Sequence, residues 1–304
     1  MTRLGAGGFA ASVAVLAGSC IAPLPIASAL PSRPATARTE LQSAPPIVQS
    51  DHSINVFGPR TQGALVTGLV SRGVTDLTLD GMSVKVATDG RFIIAFSQDA
   101  APEAVLRARR PDGRTTELRL KVEPRAWRVE TIAGLPRFAQ PSAEFARLRP
   151  PELAQINAAR RGDGGSDGWR QRFIWPVKGR VSGLFGSSRV YANGEKGAPH
   201  SGVDVARPTG TPVVAPADGV VTLAAAKPFT LEGNILILDH GMGLNSAFLH
   251  LSRHDVKLGD RVRQGQLVGA VGMTGRASGP HLHWGMKWLD RRIDPLLLAG
   301  PMPQ

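Results

Sequence analysis

Residues 279–285 read Gly-Pro-His-Leu-His-Trp-Gly, and this stretch decides how the second half of the chain is interpreted. In a β-strand alternate side chains share a face, so His281 and His283 project together while Leu282 and Trp284 point the other way. Two imidazoles side by side suit one metal ion with a base beside it. An H-x-H pair alone is weak evidence, because many such pairs are incidental.

Two segments further upstream carry other candidate residues. His200 and Asp204 are four residues apart and can converge on one ion, with Gly202 giving the backbone freedom to bend. Imidazole and carboxylate suit zinc, whose catalytic sites use three protein ligands and leave a fourth position for water. Taken alone, Asp204 would be interpreted as a turn or salt-bridge carboxylate rather than a ligand. His250 ends the apolar run 248–251, where a lone histidine is more often a core residue than a catalyst.

The candidate residues lie in a region of strands and turns, residues 173–304. Ile235–Leu238 and Leu267–Val271 have the composition of buried strands, and glycines mark the turns between them. The pattern predicts an all-β domain with an antiparallel β-sheet or open barrel. Residues 53–135 also alternate strand-like runs with turns, including three Asp-Gly pairs that favour tight hairpins, and predict a small β-sandwich module.

Between these two regions, residues 136–172 have a different composition. They are rich in Arg and Ala and predict a linker with a short helix from Pro151 to Arg161. The glycine-rich run 162–168 then ends the linker.

The first 52 residues have the features of an exported protein. A positively charged start, an apolar stretch and Ala27-Ser28-Ala29 predict a signal peptide over residues 1–29. Residues 30–52 are rich in Pro, Ser, Ala and Thr and predict a flexible tether. We therefore expect the protein in the periplasm or cell envelope. Lipoprotein anchoring at Cys20, the single cysteine, is the minor alternative.

The strongly basic net charge does not by itself indicate a nucleic-acid-binding protein. The chain has 36 Lys and Arg against 24 Asp and Glu, a formal charge of +12, which would suit nucleic acid. No helix-turn-helix, zinc-finger or RNP-like pattern accompanies it, so we expect no nucleic-acid partner. A generally basic surface suits anionic surroundings such as a cell envelope. After the leader no segment approaches about 18 continuous apolar residues, so we expect no membrane span in the mature chain.

The three segments, taken in order, resemble the LytM/lysostaphin family of zinc peptidoglycan endopeptidases. The family carries an H-x-x-x-D motif, an aromatic-x-H-L segment and a G-P-H-L-H strand, which here are 200–204, 248–251 and 279–283. The connecting segments 210–219 and 239–241 agree as well. The resemblance covers about residues 173–296.

The resemblance implies a ligand set and a reaction. One zinc ion per chain would be held by His200, Asp204 and His283. His250 and His281 would stay unligated as the catalytic residues, one as base and one as transition-state stabiliser, in an order that the residues leave open. The substrate would be the cross-link peptides of peptidoglycan, with a D-alanyl–diaminopimelate bond as the expected target. Whether a regulatory or activating envelope protein binds the chain is left open. Phe248 departs from the family, in which many members have tyrosine.

Two other classes of function remain open. A non-catalytic peptidoglycan-binding or hydrolase-activating protein of the same fold would typically lack zinc ligands, whereas all of them are present here. A biotinyl- or lipoyl-type carrier domain shares the Gly-Asp-x-Val-x-x-Gly-Gln turn of residues 259–266. A carrier has no use for an H-x-x-x-D motif.

Overall fold

The computed structural model describes residues 54–132, 142–191 and 194–303 of the chain. The predicted signal peptide and tether lie outside these ranges. Within them the chain is all-β, as predicted, with twenty strands, two α-helices and one 3₁₀ helix. None of the described helices has the length and apolar character needed to cross a membrane.

Two small antiparallel sheets make up the first part of the described chain. One has the strand order β1-β2-β5 and the other has the order β4-β3-β6-β7. Buried and exposed side chains alternate along β6 and β7, so one face of that sheet is packed and the other is solvated. The strands are β1 (Ile54–Phe57), β2 (Leu65–Val70), β3 (Asp76–Leu79), β4 (Met82–Ser83), β5 (Arg91–Ala95), β6 (Glu103–Arg109) and β7 (Thr115–Lys121).

The predicted Asp-Gly hairpins form as expected, and the turn between β3 and β4 explains why. Leu79 pairs with Met82, so only two residues make the turn. Asp80 and Gly81 both have positive φ, at 50° and 82°. Such a turn requires residues that tolerate the left-handed region, which Asp and Gly do.

A connecting region follows, with β8 (Val129–Ile132) and α1 (Ala143–Arg161). The helix is longer than the predicted Pro151–Arg161. Ser142 caps it by accepting a hydrogen bond from the Phe145 amide, and Pro150 and Pro151 lie inside it. Proline is common in the first helical turn, so the sequence pattern placed the start too late. Ile156 of α1 packs in an apolar cluster with residues of the large sheet, and this tertiary packing supports the helix.

The remaining elements build the large sheet, with the strand order β17-β13-β14-β15-β19-β11-β9 and β20 beside β19. A second sheet has the order β12-β18-β16. Strand β10 pairs in parallel with β8. The elements are the 3₁₀ helix Gly168–Arg170, β9 (Arg180–Gly183), β10 (Ser188–Tyr191), β11 (Gly202–Ala206), β12 (Pro212–Val214), β13 (Gly219–Ala224), β14 (Asn234–Gly241), β15 (Leu244–Leu251), β16 (Arg253–His254), β17 (Arg261–Val262), β18 (Leu267–Ala270), β19 (His281–Trp288), β20 (Arg291–Ile293) and α2 (Pro295–Ala299).

The central strands of the large sheet are covered on both faces. Along β19, Leu282, Trp284, Met286 and Trp288 are buried in the main core. The alternate residues, beginning with His281, lie on the opposite face. There α1 packs over β14 and β15, so these strands are buried almost throughout. The period-2 pattern of residues 281–288 therefore separates a core face from a polar face.

Candidate metal centre

Three predicted ligands converge at the polar face of the large sheet. Asp204 on β11 lies directly opposite His283 on β19, because the two antiparallel strands pair in that register. Asp204 Oδ1 is 2.9 Å from His283 Nδ1 and 3.1 Å from His200 Nε2. The two imidazole nitrogens, His200 Nε2 and His283 Nδ1, are 3.1 Å apart. One donor atom from each residue therefore faces the same point, a grouping that can hold a metal ion.

The second nitrogen of His200 fixes the chemistry of the first. His200 Nδ1 is 3.0 Å from the carbonyl oxygen of Leu184. A carbonyl can only accept, so Nδ1 carries the proton and donates it. In the neutral ring Nε2 is then left with a lone pair that points at the carboxylate of Asp204. Lone pairs that converge in this way need a cation between them, and the set of two imidazoles and one carboxylate fits zinc.

The electrostatics of Asp204 agree with a cation site. Burial by itself raises the pKa of this carboxyl group, but the polar contacts of its Oδ1 with the rings of His200 and His283 outweigh burial and hold the pKa far below its ordinary value. Burial lowers the pKa of His283, which favours the neutral ring. An ionised carboxylate beside neutral imidazole is the protonation state that metal binding requires.

His250 and His281 lie beside the three ligands, on the same side of the sheet. Their ring centroids are 4.8 Å apart, and His281 Nε2 is 3.8 Å from Asp204 Oδ1. His281 Nδ1 donates to the carbonyl of Gly279, and His250 Nδ1 donates to the carbonyl of Thr274, each over 2.8 Å. Both rings therefore present Nε2 with a lone pair when they are neutral.

His250 sits in an unusual backbone conformation at the end of its strand. Its φ is +64°, in the left-handed region that is rare for a non-glycine residue, and its amide donates to the carbonyl of Glu232. Burial lowers its pKa to about 4, and the neighbouring histidines add to that effect. At neutral pH His250 is uncharged and acts as a hydrogen-bond acceptor through Nε2.

Two glycines make room for the ligands. A Cβ at Gly183, on the strand β9 next to β11, would lie 2.5 Å from Asp204 Oδ2 and 3.1 Å from His200 Cε1. A Cβ at Gly202 would collide with the backbone of β19 and lie 2.8 Å from His283 Nε2. The expected role of Gly202 as a flexible bend is wrong, because it lies in an extended strand and its φ is not positive. It is needed for close approach of two backbones.

The loop that positions His200 is held from the N-terminal part of the chain. Gly186 in this loop packs against the ring of Trp127 so closely that a Cβ would collide with it. Phe185 contacts Trp127 edge-to-face with ring centroids 5.8 Å apart, and Gln98 donates a hydrogen bond to the carbonyl of Gly186. The sequence gives no local sign of this support, since Gln98 and Trp127 are far from residue 200 along the chain.

His240 and Phe248 lie on the other side of the large sheet. His240 is fully buried, where Nδ1 donates to the carbonyl of Asp218 and Nε2 contacts the hydroxyl of Ser246, both over 2.8 Å. It is a structural core residue. Phe248 is opposite Trp284 and fully buried in the main core. Its side chain does not face the metal centre.

Comparison with known proteins places this centre inside a described family. The sequence profile of Peptidase family M23 matches residues 198–295, which include all five histidine and aspartate residues of the site. The chain is similar to the peptidoglycan DD-endopeptidase ShyA of Vibrio cholerae, with 38% identity over 132 residues, 43% of this chain and 30% of the relative. It is also similar to the DD-carboxypeptidase/endopeptidase Mpg of Neisseria meningitidis serogroup B, with 40% identity over 105 residues, 34% of this chain and 24% of the relative.

The matched segment thus spans less than a third of the length of these curated relatives. A solved structure gives a longer match. The crystal structure of a Pseudomonas aeruginosa protein assigned to peptidase M23 aligns with a TM-score of 0.61 and 30% identity. The alignment covers 81% of this chain and 96% of that one, so the likeness extends well beyond the metal centre.

Proposed function

The chain belongs to peptidase family M23, and on that premise we propose that it is a zinc-dependent endopeptidase that hydrolyses the peptide cross-links of peptidoglycan. The observation that carries the proposal is the convergence of His200, Asp204 and His283 beside two further histidines with free lone pairs. The names of the relatives in Vibrio and Neisseria support the substrate class.

Under this proposal, His200, Asp204 and His283 hold one zinc ion. When bound, zinc supplies Lewis-acid chemistry, which lowers the pKa of water from 15.7 to about 7 and polarises a carbonyl group. The carbonyls of Leu184, Gly279 and Thr274 fix the tautomers of three histidines and so keep each Nε2 aimed into the site. This orientation needs no rearrangement when substrate arrives.

His281 is the residue best placed to move the proton. Its Nε2 lies 3.8 Å from Asp204 Oδ1, at the edge of the ligand set, and its ring is half-buried. It accepts the proton of the attacking water and returns it to the leaving amine. His250 accepts a hydrogen bond from the same water. It can stabilise the oxyanion as a donor only after it has itself taken a proton, because its pKa is about 4.

We propose the domain organisation and location on the same basis. Residues 173–304 form the peptidase domain, residues 53–135 form a β-sandwich module, and residues 136–172 connect them. The predicted signal peptide would deliver the chain to the periplasm or cell envelope, where peptidoglycan is. The presence of the complete ligand set together with His250 and His281 favours an enzyme over a non-catalytic relative of the same fold.

The test compares zinc content with muropeptide release from purified sacculi for three variants. His283→Ala should lose zinc and activity together. His281→Ala and His250→Ala should keep zinc and lose about 10²- to 10⁴-fold in turnover, the usual range for a general acid–base group. His254→Gln, a half-buried histidine outside the site, serves as the matched control and should retain both zinc and activity.

The three variants also give results that would overturn the assignment. If His281→Ala loses zinc while His283→Ala stays loaded, the ligand and the base have been exchanged. If all three variants release muropeptides at the rate of the unmodified protein, the site is not catalytic.

A further inference from the structure

A separate cavity lies next to the metal centre, on the polar face of the large sheet. Its volume is about 220 Å³. Its floor includes His283 and Gly285 of β19, and its roof is formed by α1. Ser201, whose hydroxyl is 3.4 Å from His283 Nε2, also lines it. His283 therefore separates the ligand atoms of the metal centre from this second space.

Four of the five charged residues that line the cavity are cations. Arg149, Arg160, Lys287 and Arg292 line it, with one carboxylate, Glu232. Glu232 is already neutralised by Arg149, whose guanidinium donates to both of its oxygens over 2.6 and 2.8 Å. This leaves three positive groups without a carboxylate inside the cavity.

Arg160 has the strongest need for a partner. Its Nε is buried and has no hydrogen-bond partner among the described residues. Burial, together with the positive charge of Arg292, lowers its pKa to about 10. Burial also lowers the pKa of Lys287, with Arg160 as a second cause. Among the described residues, the Lys287 ammonium forms one weak ion pair, 3.5 Å from Asp290, whose side chain is 97% exposed. Fixed cations that repel one another in a partly enclosed space are typical of a site for an anion.

We propose that this cavity is a subsite that binds a carboxylate group of the substrate peptide, with Arg160, Lys287 and Arg292 as its binding residues. The inference rests on the proposed function, which makes a peptide the ligand of the adjacent metal centre. Guanidinium groups bind carboxylates through paired charge-assisted hydrogen bonds, which makes arginine the usual residue for this task. The cavity is smaller than the roughly 300–1,000 Å³ of sites that enclose a whole drug-sized ligand. It therefore fits the end of one amino-acid residue, while the rest of the peptide lies across the metal centre.

The experiment measures binding without turnover. The probe is the peptidoglycan tetrapeptide L-alanyl-γ-D-glutamyl-diaminopimelyl-D-alanine, compared with the same peptide carrying carboxamides in place of its carboxylates. Calorimetry with the full chain should give about tenfold or greater weakening on amidation, the effect of losing a charge-assisted hydrogen bond. Inorganic phosphate should compete weakly.

Variants then locate the effect. Arg160→Gln and Arg292→Gln should bind the acid and the amide peptide equally, whereas Arg263→Gln, on an exposed turn outside the cavity, should keep the preference. Arg292 is largely exposed on β20, so its replacement tests the proposal even if Arg160→Gln does not fold, which thermal melting would reveal. Zinc content should stay unchanged in all three.

Equal binding of the two peptides by the unmodified protein would overturn the proposal. So would a preference that persists in both cavity variants, or phosphate that competes as well as the tetrapeptide. If the unmodified protein releases no muropeptides but still prefers the carboxylate peptide, the proposed hydrolase is contradicted and the subsite is supported.

Discussion

The small sheets of residues 54–121 and the large sheet of residues 180–293 treat polar groups in opposite ways. In the small sheets every charged side chain among the described residues is at least partly exposed, and ion pairs such as Arg119–Glu103 lie in solvent. The large sheet buries Asp204, His240, His250 and His283. Exposed ion pairs contribute about 0–1 kcal/mol each, whereas buried polar groups are costly unless each has a partner.

The contrast distinguishes the region that is packed only for stability from the region that also carries chemistry. Three of these buried residues, Asp204, His250 and His283, lie together at the metal centre, whereas His240 is a structural core residue. Asp239 illustrates the expense of keeping them. Burial raises its pKa, and two backbone amides, of Gly164 and Gly241, compensate by donating to its carboxylate. No residue of β1–β7 needs such support.

The largest effect is expected from removing a buried carboxylate. Asp204→Ala should reduce both zinc content and muropeptide release to background, because only two protein ligands remain. The matched control is Asp112→Ala, at an exposed hairpin tip of the small sheets, which should change neither. Metal analysis of the two purified proteins makes the comparison. Full zinc occupancy in Asp204→Ala would show that this buried carboxylate is not a metal ligand and would contradict the functional difference between the two regions.

A second effect concerns acid stability. Burial lowers the pKa of His240 from 6.5 to about 4. Between those values the unfolded chain binds a proton that the folded chain does not, so stability falls as the pH falls. The loss is absent above pH 6.5 and reaches about 3 kcal/mol near pH 4, from 2.5 pH units at 1.36 kcal/mol each.

Urea unfolding at pH 7 and pH 4.5, with a chelator present so that metal release does not contribute, should show this loss. His240→Gln should reduce it, and the remainder should come from His250, His254 and His283, whose pKa values burial also lowers. Hydrogen exchange at pH 4.5 should reveal opening of β14 and β15 before β6 and β7, since residues 54–132 contain no histidine. Simultaneous opening of both regions would contradict the assignment of the acid-sensitive groups to the large sheet.

The smallest effect distinguishes two glycines that are both closely packed. A Cβ at Gly68 in β2 would collide with the ring of Phe92, whereas one at Gly183 would collide with Asp204. Gly68→Ala should therefore lower the unfolding free energy by about 1–3 kcal/mol and leave zinc affinity unchanged. Gly183→Ala should weaken zinc binding about tenfold, at the low end of what disturbing a ligand's surroundings costs. Zinc titration and thermal melting of both variants would show whether the two effects separate in this way or coincide.

Part of the site could be predicted because strands have a simple period. The shared face of His281 and His283 follows from two-residue alternation alone. The convergence of Asp204 with His283 depends on the register of β11 against β19, which no local pattern encodes. The resemblance to a family supplied that pairing, and family likeness carries long-range geometry that periodicity does not.

The remaining features depend on backbone atoms and distant side chains. The carbonyls of Leu184, Gly279 and Thr274 orient three histidines, yet any residue type supplies a carbonyl. The cavity cations come from α1, β19 and β20, and only the fold brings them together. The start of α1 at Ala143 also differs from the sequence prediction, because the Ser142 cap and the ion pair of Arg149 with Glu232 stabilise the helix ahead of the two prolines.

The contact of Trp127 with Gly186 has a consequence for how this protein can be recombined. The ring belongs to the segment that leads out of the small sheets, and the glycine belongs to the loop that positions His200. Strand β8 adds to the same junction by pairing with β10. Replacing the N-terminal region with an unrelated domain would leave the loop without the ring of Trp127 against which it packs. A functional chimaera should therefore be joined before residue 54, so that the two regions are exchanged together.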